Sequence, residues 1–199
     1  MADHLDLEPA ARRLADLAAA TPDSRLDGPT PCTGMDVAGL LDHVMMLAQA
    51  FRQAADKTGS PDDGPPPEAS GAHLPPDWRV ELPRRLDALA EAWRSPSAWE
   101  GETAAGGLTL SGQEAGAIAL NELVLHGWDL ARATDRPYRC EEWEAQVSHD
   151  FAASIPDVPE AREGLFGPVV PVPDDAPLFD RALGLSGRAP DWSPGPRQA

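Results

Sequence analysis

Apolar residues recur along this chain at helical spacing, in blocks separated by turn-forming stretches. Leu7, Ala10, Ala11, Leu14, Leu17 and Ala18 predict a helix over residues 5–20, stopped by Thr21-Pro22-Asp23. Val37, Leu40, Leu41, Val44, Leu47, Ala48 and Phe51 repeat every three to four positions and predict a second helix over 37–57, with Asp36 as its N-cap. Val80, Leu82, Leu86, Leu89 and Trp93 mark a third over 78–93. Pro83 falls inside that span, so its regular part is expected to begin there, where proline suits a first turn. Ser111-Gly112-Gln113-Glu114 reads as a capping box that opens a fourth helix ending near Ala133, before Asp135-Arg136-Pro137. A shorter fifth helix over 141–154 carries Trp143, Val147 and Phe151.

Residues 59–76 and 95–110 are rich in proline and glycine and read as long connections. The first is expected to be mobile and to cross between non-adjacent helices of a bundle. Both are expected to border the open side of any site. Beyond Ile155 the chain turns Pro- and Gly-rich. One helical piece is expected near 176–185, an extended segment over 166–172 packs back on the bundle, and Ser193–Ala199 reads as disordered. The pattern therefore predicts an all-α fold: a four-helix bundle with a long crossover loop, plus a short C-terminal helix and an extended tail. Residues 1–155 form the bundle and residues 156–199 a segment packed on it.

Three polar residues interrupt the apolar stripes. Glu122 and His126 are four apart, so they share the face of the fourth helix that carries Ile118, Ala119, Leu130 and Ala133. His43 shares a stripe of the second helix with Leu40, Leu47 and Ala50. A carboxylate in an apolar seam is costly unless it is paired or bound to a metal. Two imidazoles and one carboxylate suit zinc, and three protein ligands leave a fourth position open for chemistry. Taken singly, each residue has a plainer reading: His43 as a hydrogen-bonded core or rim residue, Glu122 and His126 as a surface helical pair. Asp129, near His126, could orient a ligand histidine, act as a general base, or pair with Arg132. His4, His73 and His149 are read as solvated. Trp78, Trp93, Trp99, Trp128, Trp143 and Trp192 are read mainly as core or lid, with Trp128 close enough to His126 to edge a pocket.

The formal charge of −17, with no basic stripe, excludes a nucleic-acid partner and argues against an anionic membrane surface. No apolar run reaches the length of a membrane span, and the N-terminus does not read as an export signal, so a cytoplasmic protein is expected. Cys32 and Cys140 form no CxxC pair and are expected to be reduced thiols, with Cys32 packing rather than acting as a nucleophile. Lys57 is the sole lysine; the other basic residues are arginine. With abundant Ala, Gly and Pro, this indicates a GC-rich genome.

Two stretches carry a resemblance. Thr30-Pro31-Cys32-Thr33-Gly34-Met35-Asp36-Val37 with Leu40-Leu41-Asp42-His43, and Glu122-Leu123-Val124-Leu125-His126-Gly127-Trp128-Asp129-Leu130-Ala131-Arg132-Ala133, resemble the DinB/YfiT-like metalloenzymes. The match is to the actinobacterial branch similar to the N-terminal domain of mycothiol-dependent maleylpyruvate isomerase. The tail, Phe166-Gly167-Pro168 through Asp180-Arg181 to Gly187-Arg188, also resembles this branch. The resemblance implies a DinB-like four-helix bundle, with one metal ligand from the second helix and two from the fourth, on the positions of His43, Glu122 and His126. Met35 stands where the branch usually has Trp. The chain also ends soon after its fifth helix, where the isomerase is expected to carry a larger second domain.

Members of this group commonly use low-molecular-weight thiols. A free thiol has a pKa near 8.5, and zinc coordination deprotonates it at neutral pH. The expected partners are thus a small-molecule thiol of mycothiol type and an electrophilic substrate, in a transferase or isomerase reaction. Mycothiol has no carboxylate for this acidic protein to repel. A zinc-dependent hydrolase and a non-enzymatic metal-binding bundle are the alternatives, and the sequence is as compatible with a homodimer as with a monomer.

Overall fold

The computed structural model describes residues 4–195. Seven helices fall within them: α1 (Glu8–Ala19), α2 (Val37–Ala55), α3 (Trp78–Ala92), α4 (Gly112–Ala133), α5 (Glu142–Ser154), α6 (Pro159–Arg162) and α7 (Leu178–Leu185). A small antiparallel hairpin, β1 (Glu102–Ala105) and β2 (Leu108–Ser111), precedes α4. Residues 196–199 of the tail expected to be disordered lie outside the described residues.

The caps anticipated from the sequence are present. The Asp36 carboxylate accepts from the Gly39 N–H at 2.7 Å at the start of α2. At α4 the Ser111 hydroxyl accepts from the Glu114 N–H at 3.1 Å, while the Glu114 carboxylate accepts from the Ser111 N–H at 2.8 Å. Both caps satisfy helix N–H groups that would otherwise lack partners. The third helix departs from expectation. It begins at Trp78, a full turn before Pro83, which lies inside it. Burial of Trp78, with Arg79 stacked on its ring at 4.0 Å, anchors the extra turn.

α1 and α2 each pack against both α3 and α4, so α1 and α2 occupy opposite corners of the bundle, as do α3 and α4, while α2 and α3 are neighbours. Leu14, Leu40, Leu41, Leu82, Leu86, Leu89, Leu120 and Leu123 fill its core. The connection over residues 56–77 therefore joins neighbouring helices and is not the crossover expected from its length; it is tied down along its path, where the Ser70 N–H donates to the Asp42 carboxylate at 3.0 Å, one residue before His43.

Residues 95–110, expected as loop, contain the hairpin. Its strands are only four residues each, too short to show a clear alternation. Gly106 and Gly107 form its turn with φ of 59° and 79°, left-handed values that favour glycine.

The C-terminal segment packs on the outside of α4. α5 lies against α4 and α7 against α5. Leu125 and Trp128 of α4 join Leu183 of α7 in a second apolar cluster with Tyr138, Phe166, Phe179 and Trp192. The segment over 166–172, read as extended, forms no strand; it is held through the Val170 N–H, which donates to the Gly184 carbonyl at 2.9 Å. A partly buried ion pair ties α1 to α5: Arg13 reaches both carboxylate oxygens of Glu144 at 2.6 Å, and Glu144 has no solvent exposure.

Candidate metal centre

Packing of α2 on α4 brings His43 to Glu122 and His126. The Nε2 atom of His126 lies 2.9 Å from Glu122 Oε2, and the Nε2 atom of His43 lies 3.4 Å from the same oxygen. The imidazole rings meet edge to face, 4.8 Å between centroids. One donor atom from each residue lies within 4.8 Å of the other two. Ligands about 2.0–2.1 Å from a tetrahedral zinc sit roughly 3.3 Å from one another, so the spacing fits a small divalent ion. The donor types fit as well: two neutral imidazoles and one carboxylate.

The three differ in depth. The His126 side chain is 6% exposed, against 25% for His43 and 22% for Glu122. His126 is therefore the deepest of the three, and His43 and Glu122 carry the cluster's solvent exposure. A cavity of about 570 Å³ lies beside the connection over residues 56–77, lined by Ser70, Gly71, Ala72, Leu74 and Trp78 among others, and none of the three donors borders it.

Behind His126, its Nδ1 lies 3.0 Å from Asp129 Oδ2. Of the roles open to Asp129, the contact with Arg132 is not formed. Arg132 donates from Nε to the Trp192 carbonyl at 2.9 Å, and Asp129 is gripped by Arg188. Arg188 reaches Asp129 from beyond α7, with Nε 3.0 Å from Oδ1 and Nη2 2.8 Å from Oδ2.

These contacts set the protonation. Burial disfavours charge on His126, but its hydrogen bonds to Asp129 and Glu122 outweigh this and raise its pKa to about 9. Burial opposes the Glu122 carboxylate too, yet His126 and His43 hold it well below the usual carboxylate range. Asp129 is likewise held low, against burial, by Arg188 and His126. In the metal-free protein His126 is thus an imidazolium donating to two carboxylates, and a divalent cation would replace its Nε2 proton.

Cys32 is nearer the chemistry than its sequence neighbours suggested. Its Sγ groups with a His126 nitrogen and an Asp129 oxygen within 4.8 Å. Burial, reinforced by Asp129, pushes its thiol up to about 12. Both Cys32 and Cys140 are free thiols.

Of the histidines read as solvated, His4 is exposed but stacks on Trp99 at 5.1 Å. His73 is 60% exposed, and its Nδ1 lies 3.8 Å from Asp42. His149 is only 22% exposed. Trp128, read as close enough to edge a pocket, packs into the cluster with Leu183. Sequence reasoning missed Arg188. Its one available signal was a charged residue inside the tail stretch that carried the resemblance.

No helix among the described residues is long and apolar enough to cross a membrane. The profile of the mycothiol maleylpyruvate isomerase N-terminal domain family matches residues 7–131. A comparison with curated proteins finds no match. Among solved structures, a crystal structure of the mycothiol-dependent maleylpyruvate isomerase shares the fold, with a TM-score of 0.64 and 18% identity. The match covers 93% of this chain and 88% of that one. It therefore leaves little room for the large unmatched domain expected from the sequence, and that expectation is corrected. The match over 7–131, which takes in α1 to α3 and α4 as far as Ala131, including His43, Glu122 and His126, places the chain in the mycothiol maleylpyruvate isomerase N-terminal domain family.

Proposed function

We propose that this protein is a divalent-metal enzyme of the thiol-dependent kind, a transferase or isomerase that uses mycothiol or a similar small thiol on a small electrophile. The observation that carries the proposal is the convergence of His43, Glu122 and His126, two of them partly exposed to solvent, in a chain of this family. Zinc is the metal that the donor set suits best. His43, Glu122 and His126 would hold it, and once bound it would supply Lewis acidity and favour the ionised form of a thiol beside it.

The chain's own residues divide the remaining work. Glu122 offers the sole carboxylate of the three, so the centre keeps a net positive charge that favours an anionic thiolate over a neutral thiol. Asp129 holds the His126 ring by its Nδ1 proton and leaves Nε2 facing Glu122. Cys32 is too weak an acid to be the nucleophile, which leaves that part to a thiol from outside. Residues 1–155 are read as the metal-binding bundle and residues 156–199 as the segment that backs it. The protein is placed in the cytoplasm, where low-molecular-weight thiols are reduced.

The test is metal analysis of the purified protein, followed by titration of the cobalt-substituted form with mycothiol. A sulfur-to-cobalt absorption band is expected, and adduct formation with a simple electrophile should be lost in His43→Ala. Equal rates in both proteins would remove the metal from the reaction. A cobalt spectrum unchanged by thiol would favour hydrolysis or a non-enzymatic role.

A further inference from the structure

Arg188 lies just past α7, 59 residues along the chain from the carboxylate it grips. Its Nε and Nη2 meet the two oxygens of Asp129 in a fork, while Nη1 donates to the Ser186 carbonyl at 2.9 Å. Both partners are buried, with side-chain exposures of 6% and 0%. A two-point contact of this kind fixes the plane of a carboxylate as well as its place. Asp129 Oδ2 is thereby aimed at Nδ1 of His126.

The turn that delivers Arg188 is specifically shaped. Gly187 has a φ of 79°, and a Cβ there would fall 2.8 Å from the backbone of Gly167. Arg162 ties the same turn from the other side, donating from Nε to the Gly167 carbonyl at 2.8 Å and from Nη2 to the Leu185 carbonyl at 2.5 Å. Two buried arginines thus hold one turn, but only Arg188 touches Asp129. A buried ion pair is a weak source of stability compared with apolar packing, so the pair points to a role beyond holding the segment in place.

We propose that Arg188 is a positioning residue of the metal centre: by clamping Asp129 it sets the ring orientation and tautomer of His126, which makes the C-terminal segment a working part of the site. This rests on the metal-centre reading and deepens it. The carboxylate behind a ligand histidine acts only while its own orientation is held. Held by His126 alone, Asp129 could rotate, and Nε2 would no longer be the nitrogen presented to Glu122 and His43.

The experiment is a cobalt(II) titration of the full chain, followed by affinity and visible absorption, for wild type, Arg188→Met, Arg188→Lys and Arg162→Met. Arg188→Met should weaken cobalt binding roughly 10–100-fold and alter the band shape, with Arg188→Lys intermediate. Arg162→Met loosens the same turn without touching Asp129 and should stay close to wild type. An unchanged affinity in Arg188→Met, or an equal loss in Arg162→Met, would overturn the proposal. If Arg188→Met does not fold, the His126 Nδ1 proton resonance of the zinc-loaded protein decides. It should move in Arg188→Lys and not in Arg162→Met, and the same signal in all three proteins would overturn the role. Wild type that takes up no cobalt would sink the metal-centre reading itself, a result distinct from an Arg188 variant that binds as wild type does.

Discussion

The Nε2 atom of His126 sits 2.9 Å from the Oε2 atom of Glu122, one helical turn away on α4. Without a metal this contact is an ion pair between a cationic ring and a carboxylate. With a metal bound, the same two atoms would be neighbouring ligands. The centre is therefore balanced between a proton and a divalent cation, and its pH behaviour should reverse between the two states.

In the metal-free protein the His126 pKa is about 9, against 6.5 for the free side chain. A raised folded-state pKa stabilises fully below the unfolded value, and the contribution is lost as pH rises through the folded one. Chelator-treated protein should be less stable to urea at pH 9.5 than at pH 6.5. Saturating zinc should reverse the trend, because the ion no longer competes with the Nε2 proton at high pH. Metal-free stability that rises over this interval would show that His126 is not the paired cation.

Removing a donor should remove the metal. His126→Ala and Glu122→Ala should each lower zinc affinity by at least about 100-fold, more than the loss from a residue that only supports a ligand. His43→Ala should also weaken binding, and the measurement is calorimetry against a zinc buffer. One ion per chain is expected for wild type. Full metal content in His126→Ala would place the ligands elsewhere.

Cys32 should be inert. A thiol near 12 is ionised about 1,000-fold less at neutral pH than one near its ordinary value of 9.0. Alkylation by iodoacetamide at pH 7.5 should be slower than that of free cysteine by a factor of that order. Cys32→Ser should keep its metal, since Cys32 lies outside the group formed by His43, Glu122 and His126. Rapid alkylation would reopen the nucleophile reading.

The pair between Arg13 and Glu144 supports the bundle and not the centre. Arg13→Ala leaves the fully buried Glu144 carboxylate without its cation, held only by the Glu141 N–H among the described residues, and should cost about 3–5 kcal/mol in urea denaturation, with zinc affinity unchanged. A loss of zinc affinity as large as that from His126→Ala would mean that α5 acts on the centre directly.

The bundle helices and the three donors were legible in the sequence because both depend on short spacing. A helical stripe, an N-cap at Asp36, a capping box from Ser111 to Glu114 and a glutamate four residues before a histidine all concern residues within a turn or two of one another, and local geometry decides them. Their meeting needed only that two apolar stripes pack together, carrying His43 against Glu122. The hairpin at Gly106-Gly107 escaped notice because four-residue strands show too little alternation, and the start of α3 because burial of Trp78 outweighs the interruption at Pro83. The tertiary structure alone decided what stands behind the three donors. Arg188 meets Asp129, and Cys32 comes within reach of His126, only after α7 packs on α5 and the loop before α2 folds against α4. No periodicity records such contacts, since they are fixed by how whole elements fill space against one another and not by the spacing of residues along any one of them.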